Sequence, residues 1–272
     1  MVDCNFYLIS LPSEPSAGEF LSKAKSEPPL IRGVPHGWIH EPHNGEAKSL
    51  LSQSWNLFLL TQSSDHDLGD VIKKHAADFV KGTVSIPQAQ YDQLVADRDT
   101  RATPSNDTPP LAQEWSDGQT GQIPDRHWLP PKDGPLEPGE LKLYRPMATY
   151  LSTTLPTVIR DKPVSLFNLF KYRNGDSSVH EHYMQGFKDK FGPAAGAQLK
   201  FMGPVSSQPT LSSSTGGDDS GGWQDANIVQ YDSIWHYAYM LSTDVYAELN
   251  KDKINGLEDT CILLISEVEL ER

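Results

Sequence analysis

Apolar residues along this chain fall into short runs whose spacing switches between a strand-like and a helical period. The clearest run is V-S-L-F-N-L-F-K-Y, Val164–Tyr172, bounded by Pro163 and Asn174-Gly175. It is continuous and rich in aromatics, which predicts a strand buried on both faces. From Val179 to about Gly192 the apolar positions Tyr183, Phe187 and Phe191 recur at helical spacing, predicting a helix. A strand at Gln198–Val205 follows, and then Ser206–Gly222, a Ser/Gly/Asp-rich stretch without period that reads as a loop. A strand at Ala226–Tyr231, a helix or helix pair from Ile234 to about Asn255, and a strand at Thr260–Val268 complete this part.

The first hundred residues give a fainter version of the same order. Strands are predicted at Phe6–Leu11, Gly37–His40, Trp55–Thr61 and Thr83–Ile86, with helices at Ala17–Lys25 and Leu68–Phe79. The order β-α-β-β-α-β, met twice, predicts an α+β chain of tandem ferredoxin-like domains. Residues 1–100 form the first and 164–272 the second; residues 101–163 form a Pro-rich linker with one short helix, because Thr100–Pro163 holds eleven of the 21 prolines. A four-stranded sheet with helices on one face leaves its other face bare, so each copy is expected to cover the other.

Charge narrows the partners. The formal net charge is −13 and no Lys/Arg-rich run occurs, which argues against nucleic acid and anionic membrane surfaces. The two cysteines, Cys4 and Cys261, lie in strand-like apolar runs and suit buried free thiols better than a disulfide. The N-terminus lacks the basic region and cleavage site of a secretion signal, and no run approaches the roughly 18 apolar residues of a membrane span. A cytoplasmic protein, monomer or homodimer, is expected.

Several stretches offer chemistry. In S-V-H-E-H-Y-M-Q-G-F, Ser178 and Glu181 have the S-x-x-E spacing of a capping box, so a helix is expected to start there with solvated histidines. On a helix, residues two apart point about 200° away from each other, so His180 and His182 cannot share a metal. His180 does share a stripe with Met184, Phe187 and Phe191, which leaves an acid-base role open. His36, His40, His43 and Glu46 form the densest ligand-capable cluster, yet their spacings match no standard zinc frame. Trp235, His236, Tyr237, Tyr239 and Tyr246 crowd one helical region, which suits either core packing or a pocket for an aromatic ligand. Asn168 stands mid-strand between Phe167 and Leu169, where a buried amide must find partners or face a ligand. No dinucleotide, P-loop, nucleophile-elbow or zincin motif occurs, so no cofactor and no metal is expected.

The second half resembles a known family. S-L-F-N-L-F-K-Y-R is similar to the M-L-N-L-L-K/R-F/Y-R first strand of the family catalogued as domain of unknown function 1330. E-H-Y-M-Q-G-F, the W-x-D-A-N-I-V-Q-Y-x-S passage at Trp223–Ser233, and S-T-D-V-Y in place of the family's S-P-E-Y extend the likeness over Val164–Glu269. Thr243 replaces the usual proline, and the Ser/Gly loop before Trp223 is unusual for the family. The resemblance implies membership of the dimeric α+β barrel superfamily, in a two-domain form similar to proteins of fungal secondary-metabolite clusters. It also implies a barrel of two facing sheets and a small cofactor-free pocket between a sheet and its helices. Relatives of that kind include polyketide cyclases, muconolactone-type isomerases and cofactor-independent anthrone monooxygenases; others bind haem or catalyse nothing.

Together these readings favour a cofactor-independent enzyme of secondary metabolism acting on a small hydrophobic, aromatic or polyketide-derived substrate by cyclisation, isomerisation or decarboxylation. His236 or His180 would be the acid or base, and Tyr183, Tyr239 or Tyr172 would hold the oxyanion. Asn168, Trp223, Trp235 and Phe187 would place the substrate. The alternatives are a cofactor-free monooxygenase and a non-catalytic module that binds a hydrophobic metabolite or a partner. A haem or metal protein would instead show a visible absorption band or bound metal.

Overall fold

A computed structural model describes residues 1–13, 16–24, 27–43, 47–98, 162–191, 196–213, 222–241 and 244–267. Residues 101–161 of the linker with its short helix, residues 214–221 of the Ser/Gly loop, Glu46, Thr243 and Val268 lie outside these residues. The described part is a mixed α+β structure whose eight strands close into one antiparallel barrel in the order β1-β3-β2-β8-β5-β7-β6-β4. The first half supplies β1 (Val2–Ser10), β2 (Ile31–His40), β3 (Leu57–Gln62) and β4 (Asp78–Ile86). The second supplies β5 (Val164–Tyr172), β6 (Ala197–Leu211), β7 (Asp225–Tyr231) and β8 (Leu257–Glu267).

Both halves arrange their own strands alike, fourth-first-third-second, and two seams, β2 with β8 and β4 with β6, join them. Closure removes every free sheet edge. The β4–β6 seam is tight: a Cβ on Gly203 would fall 2.0 Å from the backbone oxygen of Ser85.

The continuous apolar runs follow from this closure, because each strand has one face in the lumen and one under helices. In β1, Cys4, Phe6 and Leu8 enter the lumen, whereas Tyr7 and Ile9 pack on the outside with Phe20, Leu68 and Ile72. Those come from α1 (Ala17–Leu21) and α3 (His66–His75). In β5, Phe167 and Leu169 point inward and Val164 and Leu166 outward. Phe167 meets Phe6 and Phe58 with ring centroids 5.0 Å apart in each pair, so the two halves interlock across a lumen filled by side chains. Leu50 of α2 (Lys48–Leu51) and Leu94 of α4 (Gln88–Asp97) add to the same core.

Over the outer face of the second half lie α5 (Ser178–Phe191), α6 (Ile234–Leu241) and α7 (Asp244–Gly256). Since the lumen is packed, any space for a ligand in this half must lie between these helices and the sheet.

The sequence expectations need several corrections. The stretch read as a loop from Ser206 runs as strand to Leu211, because it pairs with β4 of the other half. β2 begins at Ile31 rather than Gly37: it passes Gly33, Pro35 and Gly37 with register shifts while moving from β3 to β8. Phe79 belongs to β4, since α3 ends at His75 with Ala76 extended. α4 is an unforeseen helix that buries only Leu94 among its residues. In place of the capping box expected at Ser178 and Glu181, the helix starts at Ser178 with the Ser177 carbonyl accepting from the Glu181 N–H, the Asp176 carboxylate accepting from the Ser178 N–H, and the Ser177 hydroxyl donating to the Glu181 carboxylate. Of the two histidines expected in solvent, His182 is exposed and lies 2.9 Å from the Asp252 carboxylate, whereas His180 is buried.

Candidate functional site

The outward-facing side chains of β5 and β7 meet at one level. Asn168 stands opposite Asn227 on β7 and Ile262 on β8. The Asn168 side-chain amide donates to the Leu166 carbonyl at 3.0 Å and to the Asn227 side-chain oxygen at 2.7 Å. An amide pair in an apolar strand is tolerated because each supplies the other's need.

Above this pair is a cavity of about 40 Å³, room for about three waters. Its floor is Leu166, Asn168, Phe170, Asn227, Val229, Tyr231 and Ile262 of the sheet. Its roof is Tyr183, Met184 and Phe187 of α5, Tyr237 and Met240 of α6, and Tyr246 and Lys253 of α7. Burial drives the Tyr183 phenol up to about 12 against a lowering hydrogen bond from Tyr246. Burial, with Tyr237 and Tyr183 beside it, pushes Tyr231 well above its ordinary value. These phenols stay neutral near pH 7 and act as hydrogen-bond donors.

Behind the wall stands His180, in the first turn of α5. Its ring centroid is 4.4 Å from that of Phe170 and 5.5 Å from that of Tyr183, stacked on the latter. The Tyr172 hydroxyl donates to the Asp225 carboxylate, so its oxygen is left to accept from His180 Nδ1, 3.3 Å away. The chain Asp225–Tyr172–His180 therefore assigns the proton to Nδ1 and a lone pair to Nε2. That Nε2 is buried with no hydrogen-bond partner. Burial, and then the charge of Lys253, lower the His180 pKa to about 3, keeping the ring neutral. Burial and the Asp225 carboxylate raise the Tyr172 phenol far above its usual range.

Among the residues singled out from sequence, Asn168, Tyr183 and Phe187 line this cavity, and His180 and Tyr172 stand against its wall. His236 does not line it. At the start of α6 its Nδ1 lies 2.9 Å from the Ser233 hydroxyl, and its ring covers Gly196, where a Cβ would fall 2.6 Å away. Gly196 has φ +65°, so glycine is required there twice over. Trp223 is buried with the lumen core, its backbone clasped by the Gln208 side chain. The side chains of Trp235 and Tyr239 lie outside the described residues. Reasoning from sequence left Asn227, Asp225 and Lys253 off the site; each had a signal, a polar residue at an apolar position of its strand or helix stripe.

The histidine-rich stretch goes elsewhere. His36 Nε2 lies 2.7 Å from the Ser266 hydroxyl. His40 and His43 sit edge to face, centroids 5.0 Å apart, at a second cavity of about 40 Å³ on the β2–β8 seam with Lys253, Glu258 and Asp259. The His43 backbone N–H donates to the Asp259 carboxylate at 3.1 Å. Among the described residues no three His, Cys, Asp or Glu side chains come together to hold a metal.

No protein-family model and no curated protein sequence matches the chain, so the resemblance of Val164–Glu269 to the domain-of-unknown-function 1330 family rests on its motifs alone. Solved structures are similar at low identity. A candidate monooxygenase from Lactobacillus acidophilus shares 8% identity at a TM-score of 0.46, over 98% of this chain and 94% of its own. A candidate monooxygenase from Fusobacterium nucleatum shares 7% at a TM-score of 0.44, over 98% and 94%. A protein of unknown function from Rhodopseudomonas palustris shares 17% at a TM-score of 0.35, over 45% of this chain and 91% of its own.

Proposed function

We propose that the cavity over Asn168 and Asn227 is the active site of an enzyme that uses acid-base chemistry, with no metal or nucleotide, on a small aromatic or polyketide-derived substrate. One observation carries this reading: a buried imidazole beside the cavity wall whose Nε2 has no partner and whose Nδ1 ends the Asp225–Tyr172 chain. In the reaction a C–H proton next to a substrate carbonyl passes to His180 Nε2, and the electron pair moves onto the carbonyl oxygen. The resulting imidazolium is held through Tyr172 by Asp225; the enolate is held by the neutral phenol of Tyr183 and by the Tyr246 hydroxyl. Returning the proton to a different carbon completes an isomerisation; in a cyclisation the carbanion attacks a second carbonyl, whose π pair moves to its oxygen and takes the proton back from the His180 imidazolium. Because the cavity holds only about three waters, an aromatic substrate enters as the covering helices lift from the sheet.

The architecture behind this reading is two ferredoxin-like units, residues 1–100 and 164–272, joined by residues 101–163 and closed on each other as in the dimeric α+β barrel superfamily. The repeated fourth-first-third-second strand order supports it. Membership of a secondary-metabolite cluster is carried by the sequence resemblance of the second half.

A second reading, cofactor-free monooxygenation, draws on the part of the cavity lined by Phe170, Met184, Phe187 and Met240, an apolar space in which dioxygen could meet the same carbanion. Deleting the gene in its organism and profiling metabolites tests both. A compound should accumulate that the purified protein converts, and His180→Ala should slow that conversion at least a hundredfold. Conversion unchanged under argon supports the acid-base reading; one O₂ consumed per turnover supports oxygenation. Full activity of His180→Ala would defeat the assignment, and no conversion of any accumulating compound would leave the cavity to a binding module.

A further inference from the structure

Asn168 and Asn227 answer each other at one bond and have more to give. The Leu166 carbonyl only accepts, so the Asn168 atom 3.0 Å from it is Nδ2, and the Asn227 atom 2.7 Å from that nitrogen is in turn Oδ1. Both Asn168 N–H groups are thereby spent. Among the described residues, the Asn168 Oδ1 and the Asn227 Nδ2 have no hydrogen-bond partner. Burial does not seal them either: the described polar atoms shut in without a partner are His40 Nδ1, Ser49 Oγ, His180 Nε2 and Trp223 Nε1. Both asparagines are buried and both line the cavity floor, so the space these two atoms meet is the cavity itself. The direct register of β5 on β7 sets an acceptor and a donor side by side there. Leucine at both positions would floor the cavity with no amide to desolvate.

We infer that the cavity takes a ligand carrying a carbonyl with an N–H or O–H donor on the same edge, as in a carboxamide or an α-hydroxy ketone. The ligand carbonyl accepts from Asn227 Nδ2, and the ligand donor gives its hydrogen to Asn168 Oδ1. This rests on the cavity being the substrate site and adds the polar edge by which the substrate is recognised. A carbonyl oxygen has two lone pairs, so Asn227 from the floor and the Tyr183 phenol from the roof can share it. Folding has already taken both amides out of bulk water. A ligand that satisfies them is therefore favoured over an analogue of the same shape that leaves them unmet.

The test titrates α-methylstyrene, acetophenone and benzamide, three isosteres with no polar edge, a carbonyl alone, and a carbonyl beside an N–H, into the full-length protein. A fourth probe, α-hydroxyacetophenone, offers an O–H in place of the N–H. Occupancy is read from the methyl signals of Met184 and Met240, which line the cavity. Acetophenone should bind tighter than α-methylstyrene, and benzamide or α-hydroxyacetophenone tighter than acetophenone, each step by about fivefold. Whichever of those two binds tighter identifies the donor as N–H or O–H. In a merely apolar cavity desolvation runs the order the other way, with α-methylstyrene tightest. The variant Asn168→Leu/Asn227→Leu should adopt that reversed order, while the order in wild type is decisive even if the variant fails to fold. Acetophenone no tighter than α-methylstyrene, neither donor probe tighter than acetophenone, or an unchanged order in the folded double variant, overturns the inference and leaves the cavity as a ligand site. No binding of any probe overturns it too, and takes the functional proposal with it.

Discussion

Two buried imidazoles each keep a ring nitrogen without a partner, His180 at Nε2 and His40 at Nδ1. Burial is the leading cause in both, and each pKa is lowered to about 3. In the unfolded chain these groups titrate near 6.5. Between those values the unfolded state binds up to two protons that the native state refuses, so stability is complete above about pH 6.5 and falls as the pH drops toward 3. Denaturant melts at pH 7, 6 and 5 should show a steady loss, flattened in the His40→Gln/His180→Gln double variant; a loss of the same slope in that variant would contradict the assignment. The Asn168–Asn227 pair makes a separate prediction. Asn168→Leu strands the Asn227 carbonyl in an apolar layer and should destabilise by about 1–3 kcal/mol. Asn168→Leu/Asn227→Leu should recover most of that loss, measured as the coupling in a double-mutant cycle. Asn168 was legible from sequence because an amide interrupts an aromatic run. Asn227, in D-A-N-I-V-Q-Y, interrupts its run equally, but only the register of β5 against β7 joins the two.

Elements were legible where one element sufficed to explain itself. β5 reads as a doubly buried strand, and the aromatic stripe Tyr183, Phe187 and Phe191 reads as the inner face of α5. The stretches misread are those whose partner lies in the other half. The end of β6 is polar and rich in serine, and it is a strand only because β4 accepts its backbone; β2 bends through two glycines and a proline as it changes partner. α4 has no side-chain N-cap and one buried residue, so its pattern carries little signal. The β4–β6 seam is correspondingly sensitive. Gly203→Ala puts a methyl into the Ser85 carbonyl and should destabilise by about 2 kcal/mol or more, read from denaturant midpoints. A substitution without effect there would mean that the seam is looser than its geometry.

At the scale of the molecule, the lumen core ties the halves into one unit. Phe167→Ala, which removes a ring packed on both Phe6 and Phe58, should lower stability by about 3–5 kcal/mol. Near- and far-ultraviolet circular dichroism should trace one coincident transition for wild type. Two separate transitions would show that the halves fold independently.

The two seams have a consequence for assembly. The edges offered by the first half, β2 and β4, are matched by β8 and β6, and that match is indifferent to which molecule supplies them. A chain whose connection between Asp97 and Val164 is cut too short to return should therefore lend its second half to a neighbour and receive one in exchange. The product would be a reciprocal pair of complete barrels, detectable by light scattering as a doubled mass that persists on dilution.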